Sequence, residues 1–449
     1  MVCGFFHDRR RTIFLFSIST AFFLYQHMIG LSWDFSVYVL NARYMFGGGH
    51  YMEWLRAPLM PFLLFTLSFA GYRLGEYLYI VLASMLFAVA SVKFAGKAGL
   101  DGNIFYALML SPYVLNWGLL AGTELLTLSL LMLALTYLKT WRSCVFFGLG
   151  VLARYTTVSY LVLLAYKRNV KDVILCLAVL VLVFTPWMAY NKALKGHPLY
   201  SVGDSMFFNM VYRRQYATEF SLWHVAGVIG AYLPFMAYGL CACLRRRLPG
   251  YEGLVLAFMI LALISYWRIP VKEIRHLFNL SLPAAYFTAV ALKRLEPSVG
   301  RELVLASIVL LNFSMGTLTF ESIGLWPGFY EGAEAVRGDC MVMSNMWPQL
   351  NYLGVRAETY PERVEVRAEI GEGKRIILYK YGPESEPEYM HDVDFMGGLP
   401  TIDETYSYVI LGEIGRCAPQ EDVDGSMMEL LDNRGYDAEL CPLLPLMCG

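Results

Sequence analysis

Apolar runs of bilayer-crossing length recur along the first 325 residues, and no other feature constrains the fold as tightly. A membrane helix needs roughly 17 to 25 predominantly apolar residues. Runs of this kind, some of them short, lie at 12–31, 76–95, 103–119, 125–138, 173–190, 223–243, 254–267, 276–292 and 303–325. The chain is 57% hydrophobic and only 16% charged, against about 25% charged in soluble domains. An ordinary soluble enzyme is excluded.

The near-neutral total charge hides a split. Residues 326–449 carry 9 Lys+Arg against 23 Asp+Glu, a net of -14, while residues 1–325 carry a net of +13. Two parts are therefore expected: a multi-span membrane domain over 1–325 and an acidic soluble domain over 326–449. So acidic a tail does not suit a nucleic-acid partner, and the positive charge of the body follows from membrane topology.

Lys and Arg in short loops mark cytoplasmic ends. They cluster at Arg9, Arg10 and Arg11, at Lys93 with Lys97, at Lys139 with Arg142, at Lys167 to Lys171, at Arg245 to Arg247, and at Lys293 with Arg294. With all of these inside, the N-terminus is cytoplasmic. Residues 32–57, 119–124, 191–222 and 268–275 and the whole tail are then extracytoplasmic. Between Arg142 and Lys167 the parity requires an even number of passes where only one span's length is available. Two half-helices meeting near Arg154 and Tyr155 are expected. The same parity makes 57–72, with Pro58 and Pro61 near its start, a re-entrant segment; a single crossing there would put Lys93 and Lys97 outside. The first apolar run reads as a retained span, since it is too long for a cleaved signal and lacks a small-residue cleavage pattern.

The tail has room for its own core. Strand-like runs at 375–381 and 406–411, turn residues between them and a helical stretch at 425–433 point to a small α/β domain. Four of the nine cysteines, Cys340, Cys417, Cys441 and Cys448, fall there. Their spacing is not that of a metal site, and an outer, oxidising location permits one or two disulfides.

Ionisable groups at a membrane are costly and tend to be paired or functional. Asp34 follows the first span beside Trp33; Arg43, His50, Glu53 and Arg56 follow in the same outer segment. Glu124 opens a span after Thr123, Arg154 sits at the expected half-helix junction, and Arg268, Lys272, Glu273, Arg275 and His276 precede another run. Each has a plainer reading. Asp34 suits a helix end, Glu124 a helix dipole, Arg154 a structural carboxylate partner, Arg275 with His276 a snorkelling pair, and the tryptophans and tyrosines an interfacial belt. Both signs of charge on five outer segments exceed what caps and belts require. The Asn-x-Ser patterns at Asn279 and Asn312 fall inside apolar runs and are poor glycosylation acceptors.

Asp34 followed by an aromatic-rich loop ending in Arg56-Ala57-Pro58-Leu59-Met60-Pro61-Phe62-Leu63 resembles the first outer loop of the GT-C glycosyltransferases. The similarity is greatest to the protein O-mannosyltransferase and aminoarabinose transferase group. Ala107-Leu108-Met109-Leu110-Ser111-Pro112 followed by Ala121-Gly122-Thr123-Glu124-Leu125-Leu126 is similar to that group's second acidic site. Gly148 to Thr156 resembles its glycine-rich half-helix with a basic residue. Pro186 to Asn191 before Gly196 to Ser201, and Arg275-His276-Leu277 through Pro283, resemble its later segments. The pieces cover residues 30–290 in the family's order. Departures are Ala57-Pro58 in place of a double proline, His276 in place of a tyrosine, and Glu124 without a neighbouring Asp. They leave the sugar and acceptor open and weaken a two-carboxylate metal site.

The resemblance implies a polytopic α-helical membrane protein of roughly 10 to 12 membrane segments, broken helices included, with a small C-terminal α/β domain. It implies transfer of a hexose or pentose from a polyprenyl- or dolichyl-phosphate donor to a protein, lipid or glycan on the outer face of the cell membrane. Asp34 is the candidate base, with Glu124 orienting a substrate or sharing a divalent cation, Mg or Mn. Arg154 and Arg275 are candidates for the donor phosphate; Arg56, His276, Glu53 and Trp33 are expected around the substrates. A transporter or lipid flippase, which also uses broken helices, is the alternative, although the sequence has no internal repeat. A membrane-anchored binding protein leaves Arg154 and the charged 268–276 segment unused.

Overall fold

The computed structural model describes residues 2–30, 32–166, 169–245, 250–294, 299–319, 327–380 and 386–428. Lys167, Arg246, Arg247, Cys441 and Cys448 lie outside these residues, as do the expected boundary near 326 and most of the expected helix at 425–433.

The chain divides into two compact units. One holds Met1–Gln26, Trp54–Glu321 and the described residues from Ser426 onward; the other holds His27–Glu53 and Ser322–Gly425. Compared with the division expected at 325/326, the second unit also takes in the segment after the first span, and the chain past Gly425 returns to the first. The physical reason is packing, described below for that segment.

In chain order the helices are α1 (Val2–Ile29), α2 (Trp33–Gly47), α3 (Leu59–Leu67), α4 (Tyr72–Lys97), α5 (Gly102–Met109), α6 (Pro112–Trp117), α7 (Glu124–Thr136), α8 (Trp141–Ala153), α9 (Val170–Lys195), α10 (Tyr200–Met206), α11 (Leu222–Ile229), α12 (Leu233–Leu244), α13 (Tyr251–Arg268), α14 (Ser281–Lys293) and α15 (Val299–Leu318). All but α2 and the end of α1, His27–Ile29, belong to the first unit. Five stretches are long and apolar enough to cross a membrane: Arg10–Ile29, Tyr72–Lys97, Val170–Lys195, Leu222–Leu244 and Tyr251–Arg268. This is a multi-pass helical membrane protein with a small C-terminal α/β domain.

Burial separates core from lipid-facing helices. Every residue of α7 is buried, and two of its hydroxyls are satisfied locally, Ser129 Oγ donating to the Leu125 carbonyl at 2.6 Å and Thr136 to Met132 at 2.7 Å. On α9, Val170, Ile174, Leu175, Val181 and Leu182 are exposed instead. A continuous apolar surface of that kind is stable against lipid, not water.

Several expected spans are interrupted. The run at 103–119 is two short helices, because Ser111 caps a new helix by accepting from the Val114 amide at 3.2 Å and Pro112 takes its first turn. The run at 223–243 breaks at Gly230, whose φ of +52° favours glycine. Helix α3, at nine residues, is about 13 Å long, well short of a crossing, as the re-entrant version requires. The half-helix pair also forms: α8 ends at Ala153, Arg154 is extended, and a 3-10 helix occupies Tyr155–Ala165.

The second unit is built on a five-stranded sheet of order β3-β2-β4-β6-β5, with β2 Val342–Ser344, β3 Ala357–Thr359, β4 Arg375–Tyr379, β5 Thr401–Glu404 and β6 Tyr408–Leu411; β1 (Tyr51–Met52) pairs with β7 (Val423–Asp424). Strands β3, β2 and β4 run parallel, and β4–β6–β5 antiparallel. Period-two alternation feeds both faces. Ile377 and Tyr379 join Phe329, Ala333 and Leu350 on one side; Ile376 and Leu378 join Val366 and Ile370 on the other. Cys340 and Cys417 form a disulfide, Cα–Cα 4.9 Å. Helix α2 is in this unit because Val37 and Leu40 pack with Tyr51, Met341 and Val423. A second disulfide, not expected from the sequence, joins Cys144 of α8 to Cys176 of α9.

Helices α12 and α14 touch backbone to backbone at Gly239, where an added Cβ would lie 1.9 Å from the Phe287 carbonyl oxygen. Small residues allow this approach in membrane bundles. Gly239→Ala should therefore cost about 1 to 3 kcal/mol, read as a lowered thermal unfolding midpoint of the detergent-purified protein. An unchanged midpoint would contradict the contact.

A candidate anion-binding site at two helix breaks

Three departures from regular helix bring charge together in the first unit. The turn before α7 is fixed by Gly122 at φ +96° and by the Tyr79 hydroxyl donating to the Gly122 carbonyl at 2.6 Å. It delivers Glu124 as the first residue of α7, buried, where the helix dipole favours a carboxylate. At the end of α8 the β-branched Thr156, Thr157 and Val158 disfavour continued α-helix, and Arg154 takes the break. Tyr155 is held from behind: Trp187 Nε1 donates to its hydroxyl at 2.8 Å, and that hydroxyl is 2.9 Å from Ser201 Oγ. The third departure is the 3-10 helix Ile274–Leu280, anchored by the Tyr113 hydroxyl donating to the Ile274 carbonyl at 2.5 Å.

The guanidinium of Arg154 donates to Glu124 Oε1. Glu273 divides its oxygens, accepting from Arg213 through Oε1 and from Arg275 through Oε2. His276 donates from Nδ1 to the Val271 carbonyl at 3.1 Å. Glu124, Arg154, Arg275 and His276 line one pocket, together with Thr127, Tyr160 and Asn279. Burial alone would raise the Glu273 carboxyl, but Arg275 and Arg213, with His276, outweigh it and bring it down to about 2.

Four of the eight residues singled out from the sequence therefore share this pocket. Arg56 lies in the bend before α3, half-buried, and is not among the pocket's lining residues. Asp34, Trp33 and Glu53 belong to the other unit. There Asp34 is in the first turn of α2, half-buried. Trp33 packs edge-on against Trp347 with ring centroids 4.4 Å apart. Glu53 is buried and accepts from the Tyr51 hydroxyl at 3.0 Å, while its backbone exchanges two hydrogen bonds with Asn41 at 2.8 and 2.9 Å. Sequence reasoning missed Arg213, Thr127 and Tyr160. The signal for Arg213 was the Arg213-Arg214 pair in a segment expected outside, where basic residues are unusual.

The electrostatics suit an anion. Two carboxylates, Glu124 and Glu273, face three guanidiniums, Arg154, Arg213 and Arg275. Pairing with Arg154 neutralises Glu124 and makes it a poor ligand for Mg or Mn. Among the described residues no group of three or more His, Cys, Asp or Glu side chains could hold a metal. Two polar atoms buried in pocket-lining residues, Glu124 Oε2 and Thr127 Oγ1, have no hydrogen-bond partner among the described residues. Orphaned buried acceptors are rare and costly; here they leave a place for a ligand hydroxyl to donate.

No family profile and no curated protein match the chain. Among solved structures, ArnT from Cupriavidus metallidurans bound to undecaprenyl phosphate aligns with a TM-score of 0.67 and 12% identity, over 91% of this chain and 99% of that one. The fold is that of ArnT. Its apo state aligns with a TM-score of 0.62 at the same identity and coverage. The expected multi-span helical architecture with a small C-terminal α/β domain is thus the one the chain adopts, in the form that ArnT takes.

Because the folded-state acidity of Glu273 is strengthened, its ion pairs stabilise the protein above the unfolded carboxylate value of about 4.3, and that contribution is lost as pH falls toward about 2. Glu273→Gln should unfold at a lower temperature than wild type at pH 6. The gap should close between pH 4 and 2; one that persists at pH 2 would have another origin.

Proposed function

We propose that this protein is a membrane glycosyltransferase that takes a sugar from a polyprenyl- or dolichyl-phosphate donor and passes it to a protein, lipid or glycan acceptor. The observation that carries this reading is the Glu124–Arg154 pair and its neighbour Arg275 around one pocket, in a chain with the fold of ArnT. ArnT itself has been seen with undecaprenyl phosphate bound.

In the proposed reaction the acceptor oxygen bonds to the anomeric carbon while the bond from that carbon to the phosphate oxygen breaks. The acceptor proton goes to a base, and the electron pair leaves on the phosphate. Arg154 and Arg275 stabilise the growing negative charge; a guanidinium has five N–H donors in a fork that matches phosphate, so one carboxylate contact does not saturate it. Glu124 Oε2 and Thr127 Oγ1 receive hydroxyls of the sugar. Asp34 is the candidate base, on the sequence grounds of its place after the first span, where partial desolvation raises a carboxyl toward a useful range. Arg56, His276, Trp33 and Glu53 are assigned to substrate binding on the same grounds. Inversion at the anomeric carbon follows from the GT-C resemblance. The orientation goes with this reading: a cytoplasmic N-terminus and an extracytoplasmic C-terminal domain. The ArnT fold lends no support to a transporter or flippase.

Purified protein incubated with a panel of polyprenyl-phosphate hexoses and pentoses should release or transfer sugar from at least one; turnover of none of them would count against the proposal. Asp34→Asn should lose transfer by about two to four orders of magnitude, with membrane insertion and donor binding intact. An unaffected rate would remove Asp34 as base. Arg154→Ala should weaken donor binding by at least tenfold, and unchanged affinity for the lipid phosphate would make Arg154 structural only.

A further inference from the structure

A second cavity of the first unit, about 390 Å³, lies between α1, α5 and α15. This is within the range of small-molecule sites, about 300 to 1,000 Å³. Its polar residues occupy one end of the helices that form it. Arg11 stands at the start of the apolar stretch Arg10–Ile29 of α1, and Asp101 and Asn103 at the start of α5. Further along, the wall is apolar: Phe14 on α1, Ile104 and Ala107 on α5, Val309 and Leu310 on α15.

Two contacts fix the level of the start of α5. The hydroxyl of Thr12 is hydrogen-bonded to Asn103, tying α1 to α5. Lys293, the last residue of α14, donates to the Gly99 carbonyl, just before α5, at 2.8 Å. Residues Arg11 and Thr12 of α1, the start of α5 and the end of α14 therefore share a level, where Arg11, Lys97 and Lys293 supply basic side chains. The Asp101 carboxylate is held at the helix start, accepting from the amides of Asn103 at 2.9 Å and Ile104 at 3.0 Å, which leaves Arg11 as the cationic side chain of the lining.

We propose that this cavity binds one phospholipid of the surrounding bilayer, its phosphate at Arg11 and one acyl chain along Phe14, Ile104 and Leu310. The gradient from guanidinium to hydrocarbon over less than two helical turns matches an amphiphile standing at a membrane boundary, and basic pockets between membrane helices favour anionic headgroups. The proposal is independent of the transferase reading.

The test uses the full-length protein, delipidated in detergent and supplied with 1-palmitoyl-2-oleoyl phosphatidylglycerol or with the corresponding diacylglycerol, with retained lipid counted by native mass spectrometry. Wild type should hold one phosphatidylglycerol in preference to diacylglycerol. Ala306→Phe, at an exposed position of α15 lining the cavity, should hold it at least tenfold more weakly. Leu310→Trp, also exposed, gives a second obstruction should the first fail to fold. Arg11→Gln should weaken phosphatidylglycerol at least fivefold and leave diacylglycerol unchanged. Undiminished retention in a folded obstructed variant, or equal retention of the two lipids by wild type, would overturn the proposal.

Discussion

The first unit depends on an ion pair at the meeting of two helix ends. A buried charge is tolerable only with a partner, and Glu124 and Arg154 are each delivered by a helix terminus instead of a helix side. That arrangement has a cost in regular hydrogen bonding, met locally by the 3-10 helix after Arg154 and by the Tyr79 bond to the turn before Glu124. Once the helices are broken there, the polar groups of Thr127, Tyr160 and Asn279 surround a pocket that an unbroken bundle would have filled with side chains.

Charge is arranged around that pocket in two sets of differing character. Glu124 with Arg154 is a one-to-one pair, whereas Glu273 serves two arginines at once. A carboxylate shared in this way holds both guanidiniums in place without cancelling both charges. The net positive balance is thus a product of the wiring, and it is the property that an arriving phosphate would meet first. Preorganised charge of this kind needs no rearrangement when a bond to phosphate breaks.

Much of this was legible in the sequence for reasons of length and charge. Too few residues separate Arg142 from Lys167 for two full crossings, so a break near Arg154 followed from arithmetic, and the strand-like run at 375–381 announced β4. Other features were not legible because they depend on packing between distant segments. Nothing in the spacing of Glu124 and Arg154 says that each is the other's partner; Glu124 is the carboxylate that the structural reading of Arg154 left unnamed. Helix α2 looked like part of the membrane body; only its contacts with Met341 and Val423 assign it to the acidic unit. Short breaks at Ser111-Pro112 and Gly230 were hidden inside runs whose average hydropathy reads as continuous.

Helix α9 is nearly all surface, yet it is fastened twice: Cys176 to Cys144 of α8, and Trp187 with Asn191 to Ser201. The two fastenings stand roughly 16 Å apart along the axis. A rod pinned at two points can neither roll nor slide, so the ridges of Val, Leu and Ile that it turns outward form a fixed relief. Neighbouring acyl chains have to conform to that relief, and the helix does not turn to suit them.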